Sequence, residues 1–399
     1  KSPLGNIYHG SDFKFDWTPV GQELPDIQSM TRAGAEGVVL LLSDCLRSEK
    51  QGYSLSEAIV EDSFEREFRS ETNRVVVTTM SSNISRIQQA LWVAKRNNRK
   101  VAFVGFSVER NVKVATELGF LSLPPRMVVD KRKISSLPKN EQCLIIAGSQ
   151  GQMGSSLERI ATGDHHAVKL DPGDKVIFSA DPIPGNESNV YRLIDLLSRH
   201  GINVSYSDIS SDLHVSGHAS AKELMMLMAM TKPRYVMPTG GTHRHNIQFG
   251  KLAVEMGIPE SHVLMPENQT IIIEPGGVVH FGETIDLKNV YVESGIVTQA
   301  DEHIMDRKMM FQEGVVVTVL TIAKSGDKLE IDLIPKGITT QIDPNALLKI
   351  KENFAKSMAS HDMTRDRLYS KDRIAKEMSR LFIEYIGKNP VVIPIIIED

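Results

Sequence analysis

The sequence predicts an α/β protein of more than one domain, with a mainly parallel sheet in its middle and a small α+β tail. Three observations carry this reading. Short apolar strands alternate with segments of helical apolar spacing, polar or glycine-rich turns sit at the strand ends, and the texture changes after about residue 284. At 399 residues the chain exceeds what one hydrophobic core usually organises, so two or three domains are expected.

Taken in order, residues 5–16 (GNIYHGSDFKFD) read as a strand entering a turn, and residues 32–44 (RAGAEGVVLLLSD) as a second apolar strand with a polar end. Residues 57–69 have helical spacing, residues 74–79 (RVVVTT) read as a buried strand, and a helix is predicted over 84–95. Between those two lie Ser81, Ser82 and Asn83, whose hydroxyls and amides at a helix N-terminus favour anions such as phosphate. Strands at 100–105, 142–148 and 175–180 repeat the alternation and indicate a parallel inserted domain. A helix over 190–200 and the loop 213–220 (LHVSGHAS) lead to a Met-rich helix, 221–230, whose methionines read as core filling. A short strand at 234–238 ends at TGGTHRHN, before another helix. The tail holds strands at 290–293, 314–323 and 328–334, a Gly-Asp turn at 326–327, and helices at 344–359 and 372–386.

Composition narrows the function classes. With 41% hydrophobic and 24% charged residues, the chain reads as ordinary globular protein, and its apolar runs fall far short of the roughly 20 residues that a spanning helix needs. No membrane segment is expected. Residues 1–8 lack the apolar core of a secretory signal, and the two cysteines, Cys45 and Cys143, read as buried bystanders in a reducing cytoplasm. A net charge of −4 argues against nucleic-acid binding by bulk positive charge. Any RNA contact needs a local basic groove, which Arg86, Lys95, Arg96, Arg99 and Lys100 could supply unless they form a solvated helix face.

The most specific cluster is His214-Val-Ser-Gly-His218. Two imidazoles four residues apart, with Ser216 and Gly217 between them, can surround a phosphate or flank a metal-bound water; alternatively, both bond to nearby backbone. Asp12, at a strand end, is either a turn residue or one carboxylate of a metal site. No HxHxDH cluster occurs in the chain.

The order of segments resembles that of the ribonuclease J family. HGSDFKFD is similar to its "TGDFKFD", LLSDCLRSEKQGYSLSE to its "LLSDSTNAE…G…SE", and VVVTTMSSNISRIQQ to its "ATFSSNIHRVQQ". GSQGQMGSSLERIATGDH resembles "GSQGEPMSALARMA…H", VIFSADPIPGNE resembles "VILSS.PIPGNE", HVSGHAS matches outright, and PVVIPIIIED resembles "RPMILPVVIEV". The resemblance spans the whole chain. It implies a metallo-β-lactamase αββα sandwich, incomplete here, with an inserted β-CASP α/β domain and a small C-terminal α+β domain. Carried over, residues 1–55 finish the first lactamase portion, 56–210 form the β-CASP domain, 211–285 resume the lactamase portion and 286–399 are the C-terminal domain.

The resemblance also implies an activity: hydrolysis of single-stranded RNA, endonucleolytic and 5′ to 3′ exonucleolytic, with two zinc ions, or Mn or Mg, activating water. Asp12 would bridge the metals. His214, Ser216, Gly217 and His218 would hold the scissile phosphate, with His218 serving the leaving group. Ser81, Ser82 and Asn83 would contact the RNA backbone, and Gly105 with Ser107 would sit at the pocket for the 5′-terminal phosphate. A homodimer or homotetramer in the cytoplasm is expected. Because the family's HxHxDH precedes the aspartate matching Asp12, the site is expected to be completed by a front segment, and the 399 residues alone to be inactive.

Three positions depart from the pattern. The family's "PVHGEYRH" is PTGGTHRH, so a zinc-binding histidine falls on Gly240, while His243 stands at the family's tyrosine and reads as a polar loop histidine. "GRSM" is GFSV, with Phe106 in place of a phosphate-pairing arginine, and Gln152 replaces the glutamate of "GSQGE". These changes give weight to a second reading, a non-catalytic or weakly active paralogue acting as an RNA-binding or scaffold subunit.

Overall fold

The computed structural model describes residues 1–69, 71–288, 290–293, 296–298, 301–322, 329–338, 343–358 and 367–398. Two compact units divide the chain, Lys1–Ile285 and Asp286–Asp399.

In the first unit, β1 (Asn6–His9), α1 (Ile27–Ala35) and β2 (Val38–Asp44) come first, then α2 (Ala58–Arg69), β3 (Val75–Thr78), α3 (Ile84–Arg96), β4 (Lys100–Val104) and α4 (Phe106–Glu117). There follow β5 (Gln142–Ile146), α5 (Ser156–Ala161), β6 (Lys175–Phe178), α6 (Glu187–Arg199), β7 (Asn203–Ser205), α7 (Ala221–Thr231), β8 (Tyr235–Thr239) and α8 (His243–Glu255). A hairpin, β9 (Gln269–Glu274) and β10 (Val278–Thr284), closes it.

Five strands form an all-parallel sheet in the order β4-β5-β3-β6-β7. Inside β3, β4, β5 and β6 the residues are almost all apolar, polar ones standing at the strand ends, because both faces are covered. Val75, Val77, Val101, Phe103, Cys143 and Ile145 pack under α2, α3 and α4, while Val76, Ala102, Val104, Leu144 and Ile146 pack under α5 and α6. The inserted parallel domain expected from the sequence is therefore present. Neighbouring strands send their helices to opposite faces, α3 and α4 to one and α5 and α6 to the other, which opens crevices at the strands' C-terminal ends.

A smaller parallel sheet, β1-β2-β8, carries α7 and α8 on one face, with the methionines of α7 in or against its core. The other face of this sheet, through Leu40 and Tyr235, meets Val279 and Leu264 near the hairpin.

The structure corrects two strand expectations. Residues 5–16 give only the four-residue β1, and residues 32–35, read as the start of a strand, are the last turn of α1. Asp26 caps α1 by accepting from Ser29 N, and Gly34 lets the helix cross α7 so closely that a Cβ there would lie 2.1 Å from Met230 O. The basic run is also corrected. Arg86 and Arg99 are buried and Arg96 is paired with Glu61 and Glu65, so only Lys95 and Lys100 of this run offer charge to solvent, beside a cleft that Arg99 also lines. Cys45 and Cys143 are free and buried, as expected.

The second unit contains β11 (Tyr291–Glu293), β12 (Ile296–Thr298), α9 (Asp301–Glu313), β13 (Val315–Ile322), β14 (Leu329–Lys336), α10 (Pro344–Met358), α11 (Arg367–Ile386) and β15 (Val391–Glu398). The expected Gly-Asp turn at 326–327 lies outside the described residues. Strand β13 is central, antiparallel to β14 and parallel to β15, so Pro335 and Pro394 sit on edge strands, where a missing N–H costs least. Phe354, Ile374, Met378 and Phe382 bury α10 and α11 in this unit's core.

Candidate functional site

Strand β2 ends in Asp44, whose carboxylate is fully buried. The HVSGHAS loop returns beside it, so that His218 Nδ1 lies 2.8 Å from Asp44 Oδ2. Asp44 Oδ1 in turn accepts from Leu46 N at 2.9 Å, which fixes the carboxylate plane. The hydrogen bond that His218 gives to Asp44 raises the pKa of the imidazole above its ordinary value, and the charge of Asp12 acts in the same direction. Asp12, Asp44 and His218 each offer a ligand atom within 4.8 Å of the others, the one such acid and histidine group among the described residues.

The structure thus brings Asp12 and His218 together and adds Asp44, which sequence reasoning missed. Its signals there were a carboxylate at the end of an apolar strand and its place in LLSDCLRSEKQGYSLSE, a segment that carries the family resemblance but to which no site role was given. His214 stands apart from that group, with Nε2 3.9 Å from Asp181 Oδ2 in the loop after β6. Its Nδ1 is buried without a partner, and burial lowers its pKa. Ser216 Oγ accepts from His218 N at 3.1 Å and so shapes the loop, while Gly217 is exposed with open space around it.

One buried carboxylate ties these pieces together. Glu223, in the first turn of α7, accepts from Phe15 N (2.8 Å), Ser54 N (2.7 Å) and Ser220 N (2.9 Å). Those three segments are the chain just past Asp12, the loop before α2, and the residues just past His218. Ser54 Oγ also donates to His218 O at 2.7 Å.

Asn83 caps α3 by accepting from Arg86 N at 3.0 Å, and Asn111 Nδ2 donates to Ser81 O at 2.9 Å; Ser82 is exposed. Asn83 therefore keeps its amide N–H groups, and Ser82 its hydroxyl, for an outside partner. Gly105 has φ +121° at the N-cap of α4, and a Cβ there would lie 2.8 Å from Ser156 Oγ, so this turn packs against α5. Ser107 is exposed on the first turn of α4.

Gly240 is in the left-handed region, φ +69°, and supplies no donor. His243 is exposed on the first turn of α8 and takes no part in the acid and histidine group. His245 is spent locally, Nδ1 accepting from Thr242 N at 3.1 Å.

Comparison with known proteins gives the chain's family. Residues 72–197 match the family described as ribonuclease J, beta-CASP domain, residues 195–266 match the Zn-dependent metallo-hydrolase RNA specificity domain, and residues 302–399 match the ribonuclease J C-terminal domain. Ribonuclease J of Thermus thermophilus is 32% identical over 412 residues, covering 100% of this chain and 69% of that protein. Ribonuclease J of Synechocystis is 34% identical over 359 residues, covering 88% of this chain and 56% of that protein. Ribonuclease J2 of Bacillus subtilis is 29% identical over 404 residues, covering 100% of this chain and 72% of that protein. With ordered segments, a parallel β-CASP-type sheet and a relative above 30% identity that matches the whole of this chain and 69% of its own length, the chain belongs to the ribonuclease J family.

Proposed function

We propose that the chain carries the phosphate-handling part of a metal-dependent ribonuclease that hydrolyses single-stranded RNA, as 5′ to 3′ exonuclease and endonuclease, in cytoplasmic RNA decay and processing. The observation that carries this is the Asp44–His218 pair beside Asp12. With Nδ1 committed to the buried Asp44, Nε2 of His218 is the nitrogen left for substrate, and a pKa held up by that carboxylate suits it to donate a proton to a leaving oxygen. Asp44 keeps the ring in one tautomer and orientation, the role of the carboxylate in a His-carboxylate dyad. His214, Ser216, Gly217, Ser81, Ser82 and Asn83 line the approach for the RNA backbone.

Two carboxylates and an imidazole within 4.8 Å suit one divalent cation, with Asp12 as its principal ligand, since Asp44 and His218 are engaged with each other. When bound, such a cation polarises water and the scissile phosphate. Two zinc ions, or Mn or Mg in their place, need donors beyond this set, so the 399 residues alone are inferred to turn RNA over poorly.

We also infer domain limits at 1–55, 56–210, 211–285 and 286–399, and assembly as a homodimer or homotetramer. In favour of assembly, Ile393, Ile395 and Ile397 alternate along the edge strand β15 with exposed side chains. Among the described residues no helix is long and apolar enough to cross a membrane.

The test is decay of single-stranded RNA by the complete gene product with added Zn²⁺ or Mn²⁺, compared with its His218→Ala variant. Decay at least about a hundredfold faster than the variant is expected. Equal rates defeat the enzymatic reading and leave an RNA-binding subunit in its place.

A further inference from the structure

A cleft of about 760 Å³ lies between α3 and α4. One wall is built by the way α4 ends. Gly119, φ +79°, takes the left-handed conformation that stops the helix, and Phe120 N then bonds back to Ala115 O at 2.8 Å. The chain just beyond is pinned to α3 by the Gln88 amide, whose Oε1 accepts from Ser122 N at 2.7 Å and whose Nε2 donates to Ser122 O at 3.1 Å. A hydrophobic residue at this place after a helix ordinarily packs back onto the last turn, yet Phe120 is 71% exposed on its fixed backbone. Trp92 of α3, half-buried, lines the same cleft, and neither ring stacks on another among the described residues.

The chain has 50 acidic residues, but none lines this cleft. Its one charged residue is Arg110, exposed on α4, whose guanidinium has neither an ion pair nor a hydrogen bond among the described residues. The acids nearest in sequence on that helix, Glu109 and Glu117, are paired with Lys131 and Lys113. Ser82 and Asn83, at the N-terminus of α3, also line the cleft, and residues 20–22 border it there through Gln22 Nε2, which donates to Ser85 Oγ at 3.3 Å. None of Asp12, Asp44, His214 and His218 is among its walls.

Resting on the RNA-hydrolysing reading above, we propose that this cleft is a second contact for single-stranded RNA, holding one nucleotide with its base on Trp92 and Phe120 and its phosphate on Arg110. It adds affinity and footprint to the substrate and takes no part in the chemistry. An aromatic face accepts any base and a guanidinium any phosphate, so the cleft prefers no sequence and needs neither end of the strand. A partner helix would want an apolar stripe along its length, whereas an unpaired guanidinium beside aromatic rings, with Ser82 and Asn83 leading on to the phosphate-handling residues, fits a nucleotide.

The experiment measures binding of the full chain, with metal chelated so that nothing is cleaved, to a fluorescent oligouridylate of about twelve nucleotides over a range of salt concentrations. Phe120→Ala should weaken binding by about fivefold or more, and Phe120→Tyr, which keeps a ring face, should bind as the wild type does. Arg110→Gln should weaken binding and also reduce the slope of log affinity against log salt by about 0.7, the share of one phosphate contact on a single strand. Both side chains are exposed, so neither change threatens the fold, and a merely structural role would not move the salt slope. Wild-type affinity in Phe120→Ala, or a wild-type slope in Arg110→Gln, overturns the proposal. Uridine monophosphate alone should bind at least about a hundredfold more weakly than the oligomer; equal affinity would make this a site for free nucleotides and overturn the assignment to a strand. If the wild type binds no RNA, the ribonuclease reading fails first and this one with it. If it binds RNA but ignores both substitutions, only the proposal about the cleft is lost.

Discussion

His218 donates from Nδ1 to a carboxylate, Asp44, that has no solvent exposure and lies 174 residues away in sequence. The pair exists because β2 runs parallel to β8 in the middle of a small sheet while the HVSGHAS loop passes over the end of β2. A buried carboxylate with so few partners depends on that imidazole, and the imidazole's orientation depends on it.

Replacing Asp44 with Asn keeps the volume but puts an amide N–H where His218 needs an acceptor, which forces the ring into another tautomer or orientation. In the complete ribonuclease we expect RNA decay to fall by about a hundredfold or more with little change in RNA affinity. Single-turnover decay rates and binding isotherms, measured side by side, check this. A variant with undiminished decay would remove the dyad from the mechanism.

Asp12 and His218 were legible in the sequence because each sits in a short segment of recognisable chemistry. Asp44 also sits in a recognisable segment, LLSDCLRSEKQGYSLSE, but its role was not legible, since its partner is fixed only by tertiary pairing. Arg86 misled in the opposite direction. It opens what looks like a solvated basic stripe, yet its guanidinium is satisfied by Glu57, 29 residues upstream, and by Ser179 and Leu213, about a hundred or more downstream. Helix α4 escaped notice because it begins at a glycine N-cap with no side-chain capping bond. The parallel sheet was plain, because strands buried on both faces are continuously apolar.

Glu223 accepts three backbone N–H groups from three segments of the site, and alanine leaves all three unpaired, those of Phe15 and Ser220 buried and that of Ser54 half-buried. Glu223→Ala should destabilise the first unit by about 3 kcal/mol or more, and Glu223→Gln by less, since one amide oxygen still accepts. Both tryptophans, Trp17 and Trp92, lie in Lys1–Ile285, so urea unfolding followed by tryptophan fluorescence reads this unit. Equal stability of the alanine variant and the wild type would refute the role given to Glu223.

Arg86 is fully buried, with Nη2 2.6 Å from Glu57 Oε2 and Nη1 on Ser179 and Leu213. Arg86→Ala leaves Glu57 without its cation and opens a cavity beside Ser179, so a loss of about 3 to 5 kcal/mol is expected in the same fluorescence assay. Lysine should restore little, because a single ammonium cannot span acceptors that the planar guanidinium reaches together.

The two histidines of HVSGHAS should show pH dependences of opposite sign. The hydrogen bond to Asp44 raises the pKa of His218 above 6.5, so its stabilisation is complete below that value and is lost as pH rises through the folded-state pKa. Burial lowers the pKa of His214 below 6.5, so the unfolded chain binds its proton first and stability falls as pH drops from 6.5 through the lower folded-state value. The stability difference between wild type and His218→Gln should therefore shrink as pH rises above 6.5, while the difference between wild type and His214→Gln should grow as pH rises toward 6.5. Urea unfolding of the three proteins across this range measures both slopes. Slopes of the same sign would mean that His214 and His218 share one environment, and the separation of His214 with Asp181 from His218 with Asp44 would then be wrong.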